Sequence, residues 1–184
     1  MEIATEKLLQ SLLEITRENL NSAEKLKEQK LSLLNWKLNN ESWSALECIE
    51  HLNRYGEFYI PEITNKIKTS NYERSEVFKS NWLGKYFSKS VSYNENLKKM
   101  KTFKSMNPLN SELDIYTIEK FKIQQHQIIE LLNKSKKVNL DKTKTAISIS
   151  KLIKLRLGDT FRVLIYHNER HIKQANRAIK EASR

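Results

Sequence analysis

Three glycines and two prolines in 184 residues leave this chain few places to turn sharply. Glycine and proline are the main punctuation of turns. A chain so poor in both must travel in long elements. Leu, Lys, Glu and Gln, which favour helices, dominate the composition, and no alternating run of β-branched residues stands out. The expected class is all-α, in one domain spanning residues 1–184, a length that buries a core without staples.

Apolar spacing marks four long helices. The first covers residues 3 to about 29, with Ile3, Leu8, Leu9, Leu12, Leu13, Ile15 and Leu20 on one side. The second starts at the capping box Ser44-Ala45-Leu46-Glu47 and runs to about Thr69, with a kink or break expected at Pro61. The third runs from about Glu112 to Lys136, with Ile118, Phe121, Gln125, Ile128, Ile129 and Leu132 on a stripe. The fourth is capped by Asp159 after Gly158 and runs from about Thr160 to Ala182. Residues 31–42 and 137–157 read as connectors, the latter with a short apolar stretch at 153–157. A long irregular connection over 70–112 holds a short helix at Asn81–Phe87, an extended basic stretch at Lys98–Lys104 and a turn at Asn107–Asn110.

Several classes are excluded or disfavoured. A lone cysteine, Cys48, forbids an intrachain disulfide framework and a cysteine-based zinc site, and it suits a reducing compartment. The charged N-terminus lacks a signal-peptide core, and no apolar run nears the roughly 20 residues of a membrane span. A cytoplasmic protein with no membrane partner is expected. The net charge of +11 raises nucleic acid as a partner. Basic residues are spread along the chain among acids, however, and 25 are Lys against 8 Arg, which speaks for a solvated basic surface.

The chemistry lies in the histidines. His167 and His171 sit four residues apart, about 40° apart in direction on a helix, and can share one metal ion. Their face also carries Thr160, Val163, Leu164, Gln174, Ala175 and Ala178, which points it at the core, where polar groups need partners. His51, on the second helix with Cys48, Tyr55 and Phe58, is the natural third ligand. Three imidazoles with open positions make a catalytic rather than a structural arrangement. His126 reads as a surface or boundary residue, and Cys48 as a small buried hydrophobe. Tyr55 and Gln174 are placed to orient substrate or water, and Glu47 to act as a base or to support His51. Packing, helix capping and a polar core rim are their ordinary alternatives. Gln125 points inward, either to line a cofactor pocket or as a satisfied interior amide.

Trp43-Ser44-Ala45-Leu46-Glu47-Cys48-Ile49-Glu50-His51-Leu52, Asn81-Trp82-Leu83-Gly84, Leu157-Gly158-Asp159-Thr160-Phe161-Arg162 and His167-Asn168-Glu169-Arg170-His171 follow one another in this order. With them the chain resembles the DinB-like family, in its branch of bacillithiol-transferase-like and metal-dependent-hydrolase-like proteins. The resemblance implies a four-helix bundle of up-down-down-up connectivity, a homodimer, and a divalent metal held by His51, His167 and His171. It also implies a metal-dependent S-transferase or isomerase using a small thiol such as bacillithiol, mycothiol or glutathione with an electrophile. Three imidazoles suit zinc, nickel, iron or copper, and affinity order alone does not select among them; zinc or nickel is expected. A metal-dependent hydrolase and a non-enzymatic dimeric binding module are the other two readings. Lys98-Lys99-Met100-Lys101 is either a pocket cover that attracts an anionic thiol or a solvated loop.

Overall fold

A computed structural model of the chain describes residues 2–93 and 102–183, and it is mostly helical. Four long helices carry the core: α1 (Thr5–Lys27), α3 (Ala45–Lys68), α5 (Tyr116–Lys134) and α6 (Leu157–Ala182). Both α1 and α3 pack against both α5 and α6. Two shorter helices are α2 (Leu31–Leu34) and α4 (Trp82–Val91).

Ile3 lies in a strand ahead of the first helix, and Leu31–Leu34 of the expected connector are helical; the expected helices are otherwise present, with three further differences at their ends and interiors. First, α3 starts at the capping box: Ser44 Oγ accepts from the Glu47 N–H at 3.1 Å, and the Ser44 N–H donates to Glu47 Oε2 at 2.9 Å. It then runs through Pro61 without a break. Pro61 and Glu57, whose carbonyl loses its helical donor, are both exposed, so water can satisfy what the ring removes. Second, α6 begins at Leu157, so Asp159 is not its cap but lies buried in its first turn. Gly158 is small for packing: a Cβ there would stand 2.5 Å from the Phe78 ring. Third, α5 begins at Tyr116, four residues later than its periodicity suggests, and ends in a 3-10 turn over Ser135–Lys137.

Two small sheets correct the purely helical reading. β1 (Glu2–Ala4) pairs antiparallel with β2 (Val77–Lys79), and β3 (Lys144–Ile147) with β4 (Ser150–Arg156). β1, β2 and β3 are too short, at three to four residues, for period-2 patterning to stand out, and the seven residues of β4 do not alternate, since adjacent Leu152 and Ile153 are both exposed. Thr145, Ile147 and Leu155 face inward, and Ile147 and Leu155 join Val163 of α6 and Leu83, Phe87 and Val91 of α4. The turn at Asn107–Asn110 forms, with Asn110 at positive φ and the Ser111 N–H donating to the Pro108 carbonyl. Lys104 lies in a 3-10 turn rather than an extended stretch. The 98–101 part of that stretch, with its suggested covering role, falls outside the described residues.

The core divides into two apolar clusters along the helices. One holds Leu12, Tyr59, Ile128 and Leu164, and the other Ala23, Ile49, Phe121 and Ile172. Each long helix also buries amides: Asn19, Asn53, Gln124 with Gln125, and Asn168. Asn168 Nδ2 donates to Gln125 Oε1 at 3.4 Å, Asn53 Nδ2 to the Thr117 carbonyl at 2.9 Å, and Gln124 Nε2 to the Asn53 carbonyl at 3.0 Å. These three bonds tie α5 to α3 and to α6 and so help fix which turns of those helices face one another, whereas Asn19 Nδ2 and Gln125 Nε2 find no partner among the described residues. Asn168→Leu alone strands the Gln125 amide and is expected to cost about 1–3 kcal/mol. Adding Gln125→Leu should then cost less than the sum of the singles, which urea unfolding of the three variants measures.

Candidate metal centre

α3 and α6 bring the three histidines together. Their ligand atoms all lie within 4.8 Å of one another, and all three residues are buried. His51 Nε2 stands 3.2 Å from His167 Nε2. Two nitrogens on a tetrahedral ion with bonds of about 2.0–2.1 Å stand about 3.3 Å apart. The spacing therefore suits a shared ion.

Each outer partner assigns a tautomer. His51 Nδ1 lies 2.7 Å from the Met106 carbonyl, which can only accept, so Nδ1 carries the proton and Nε2 presents its lone pair. His171 Nδ1 lies 2.9 Å from Gln174 Oε1, which does the same for that ring. Burial keeps the rings neutral. It pushes His51 down to about 4 and His171 to about 3, and holds His167 well below the usual histidine range, with Arg170 adding repulsion at all three. Neutral imidazoles are the form that binds metal. The donor set thus fits a divalent ion such as zinc or nickel.

The sign of the pH dependence follows. In the unfolded chain histidine titrates near 6.5, while the folded chain keeps these rings neutral to about 4 or below. As pH falls below 6.5 the unfolded state therefore binds more protons, and the metal-free protein loses stability. The loss approaches about 1.4 kcal/mol per pH unit for each histidine within that window. Urea midpoints in EDTA at pH 7.5 and pH 5 check this, and equal midpoints would mean the rings are not held neutral.

The histidines line a cavity of about 710 Å³ whose walls include Trp36, Trp43, Tyr55, Phe103, Arg170 and Arg177. The Trp43 ring centroid lies 4.7 Å from that of His51 and 5.7 Å from that of His171. Tyr55 meets His167 and His51 edge-on, at 4.6 and 4.9 Å. Burial, with Tyr59 alongside, raises the Tyr55 phenol to about 12, so it stays protonated and can donate.

The other sequence candidates are placed as follows. Gln174 is exposed at the cavity edge rather than on the core stripe, and it reaches the site through His171. Glu47 is buried and fully engaged: besides its cap bond, Oε1 accepts from the Asn110 N–H at 2.6 Å and pairs with Lys37 at 2.7 Å. That anchors the 107–111 turn to α3 and leaves the carboxylate no opening toward the metal centre. Gln125 points inward, but onto the Asn168 amide and not into the cavity. Cys48 is buried against apolar neighbours and burial raises its thiol pKa, as a packing residue requires. His126 is exposed. Sequence reasoning does not single out Trp43, Arg170 or the Met106 carbonyl as parts of the site. Trp43 at least sits in the same motif as His51, whereas a backbone carbonyl leaves no trace in residue type.

The motif pieces Asn81–Gly84 and Leu157–Arg162 join behind the site. Asp159 Oδ1 accepts from Ser80 Oγ at 2.6 Å and from Arg162 Nη1 at 3.0 Å. Asn81 caps α4 by accepting from the Gly84 N–H at 2.7 Å.

The sequence profile of the DinB superfamily matches residues 12–175. That span takes in all three histidines and every motif above. Comparison with curated proteins and with solved structures gives no match.

Proposed function

Because the chain belongs to the DinB superfamily, we propose that it is a metal-dependent enzyme, a thiol S-transferase that joins a small thiol to an electrophile. One observation carries this: three buried, neutral imidazoles with converging ligand atoms open onto a cavity of small-molecule size. His51, His167 and His171 would hold the ion. A divalent ion there supplies positive charge that favours the deprotonated form of a bound thiol. With only three protein ligands, positions remain for substrate.

The residues of the chain do the rest. Met106 and Gln174 hold two of the rings in their ligating tautomers. The aromatic side chains give the cavity apolar walls for the body of a small substrate. The Tyr55 phenol, neutral at working pH, can donate to a substrate oxygen. The proposal extends, on the family resemblance, to a four-helix bundle of up-down-down-up connectivity, a homodimer, and a cytoplasmic location. Among the described residues no helix is long and apolar enough to cross a membrane.

The test is a thiol-consumption assay against an electrophile, run beside a panel of esters and amides, on metal-loaded protein. Metal-dependent loss of thiol is expected. Hydrolysis without thiol turnover would replace the transferase by a hydrolase, and neither activity would favour a binding module.

A further inference from the structure

Acidic residues are missing from two segments of the sequence. Residues 77–93 hold three lysines and no acid, and residues 142–158 hold five basic residues and no acid. They lie some fifty residues apart, and the fold joins them. α4 and the β3–β4 hairpin both pack against α6, and their inner side chains share one apolar cluster. The basic charge that looks scattered along the chain is thus gathered on one part of the molecule.

The outward side of this unit carries large apolar groups as well. On α4, Trp82, Lys85, Tyr86 and Lys89 follow the i, i+3, i+4, i+7 spacing of one helical stripe, and all four are exposed. Trp82 is 76% exposed and Tyr86 64%. At the hairpin end Leu152 is 93% exposed, beside exposed Ile149 and Ile153. Lys144 and Lys154 lie on the strand face opposite buried Thr145 and Leu155. Lys79 pairs with Glu2 and Arg156 with Asp141, but among the described residues no acid pairs with Lys85, Lys89, Lys144 or Lys154.

We infer that the face formed by α4 and the β3–β4 hairpin docks on the surface of a bilayer containing anionic lipid. The combination carries the choice of partner. Lysines gain from a negative surface, Trp and Tyr suit the boundary between headgroup and hydrocarbon, and bare aliphatic side chains gain by entering it. A nucleic-acid backbone would use the lysines but offers nothing to Leu152 and Ile149. It is also better matched by arginine, which this face lacks apart from Arg156, already paired. A second copy of the chain would set one lysine-rich surface against another.

The experiment is co-sedimentation of the full chain with phosphatidylcholine vesicles, with and without 30% phosphatidylglycerol, at low and high salt. Binding is expected only with phosphatidylglycerol, and weaker at high salt. At about fivefold per lysine, K85Q with K89Q should weaken binding about 25-fold. Trp82→Ser and Leu152→Ser should weaken it too, with no change of charge. Far-ultraviolet circular dichroism and a melting temperature unchanged from wild type show that each variant is folded. No binding to anionic vesicles, or equal binding by folded variants, overturns the inference. So does a duplex DNA shift lost in K85Q/K89Q without vesicle binding, or a dimer dispersed by Trp82→Ser.

Discussion

Protein purified without a histidine tag or chelator is expected to retain close to one divalent ion per chain, and His167→Ala to retain none. Mass spectrometry of metal content measures both. The three rings pack on one another pairwise, with centroids 4.6 to 5.0 Å apart, so removing any one leaves a two-nitrogen site too weak to keep the ion. His51→Ala and His171→Ala should also lose the ion. Loss of an outer partner alone costs about 10- to 100-fold in affinity. Gln174→Leu, which removes the acceptor at His171 Nδ1, is expected in that range, and loss of a ligand should exceed it. Glu47→Gln separates support from chemistry. Its carboxylate serves the α3 cap, Asn110 and Lys37, so the variant should lose stability while metal content stays near wild type. Wild-type protein empty even after incubation with zinc and nickel would end the metal reading and with it the proposed transferase.

How much of this is legible in the sequence depends on the range of each signal. The capping box and the spacing of His167 and His171 are local, and both appear where the sequence puts them. His51 is readable as a partner because histidines are so few. Asp159 misleads because Gly-Asp before an apolar run has the look of a helix start. Its meaning is tertiary: Gly158 makes room for Phe78, and Asp159 binds Ser80, some eighty residues away. The hairpin escapes a reading of pattern because its strands draw their stability from α4 and α6. The charge gathered on α4 and the hairpin is invisible in the sequence for the same reason. Glu47 shows the reverse case, a residue at a suggestive spacing from His51 whose oxygens are taken up elsewhere.

Gly84→Ala is the substitution away from the histidines expected to cost most. A Cβ at Gly84 would stand 2.0 Å from Asp159 Oδ2 and 2.1 Å from its Cγ, far inside contact distance. Asp159 cannot step aside cheaply. Its side chain is short, fully buried, and held by Ser80 and Arg162, so moving it breaks two bonds to a carboxylate shut away from water. Otherwise α4 itself must lift from α6, opening the cluster of Leu83, Phe87 and Val91 against Ile147, Leu155 and Val163. Overpacking of this kind costs about 1–3 kcal/mol, and a disturbed buried charge adds to it. For a chain of this size that corresponds to a Tm lower by roughly 5–10 °C. Gly56→Ala provides the contrast. Its Cβ would meet the Gln124 amide at 2.1 Å, but that group ends a long side chain that can rotate, at the loss of one bond to the Asn53 carbonyl. Gly84→Ala should therefore melt well below Gly56→Ala in thermal unfolding. The reverse order would mean that α4 is only loosely seated, and that the Asn81–Gly84 and Leu157–Arg162 motifs are not joined through Asp159.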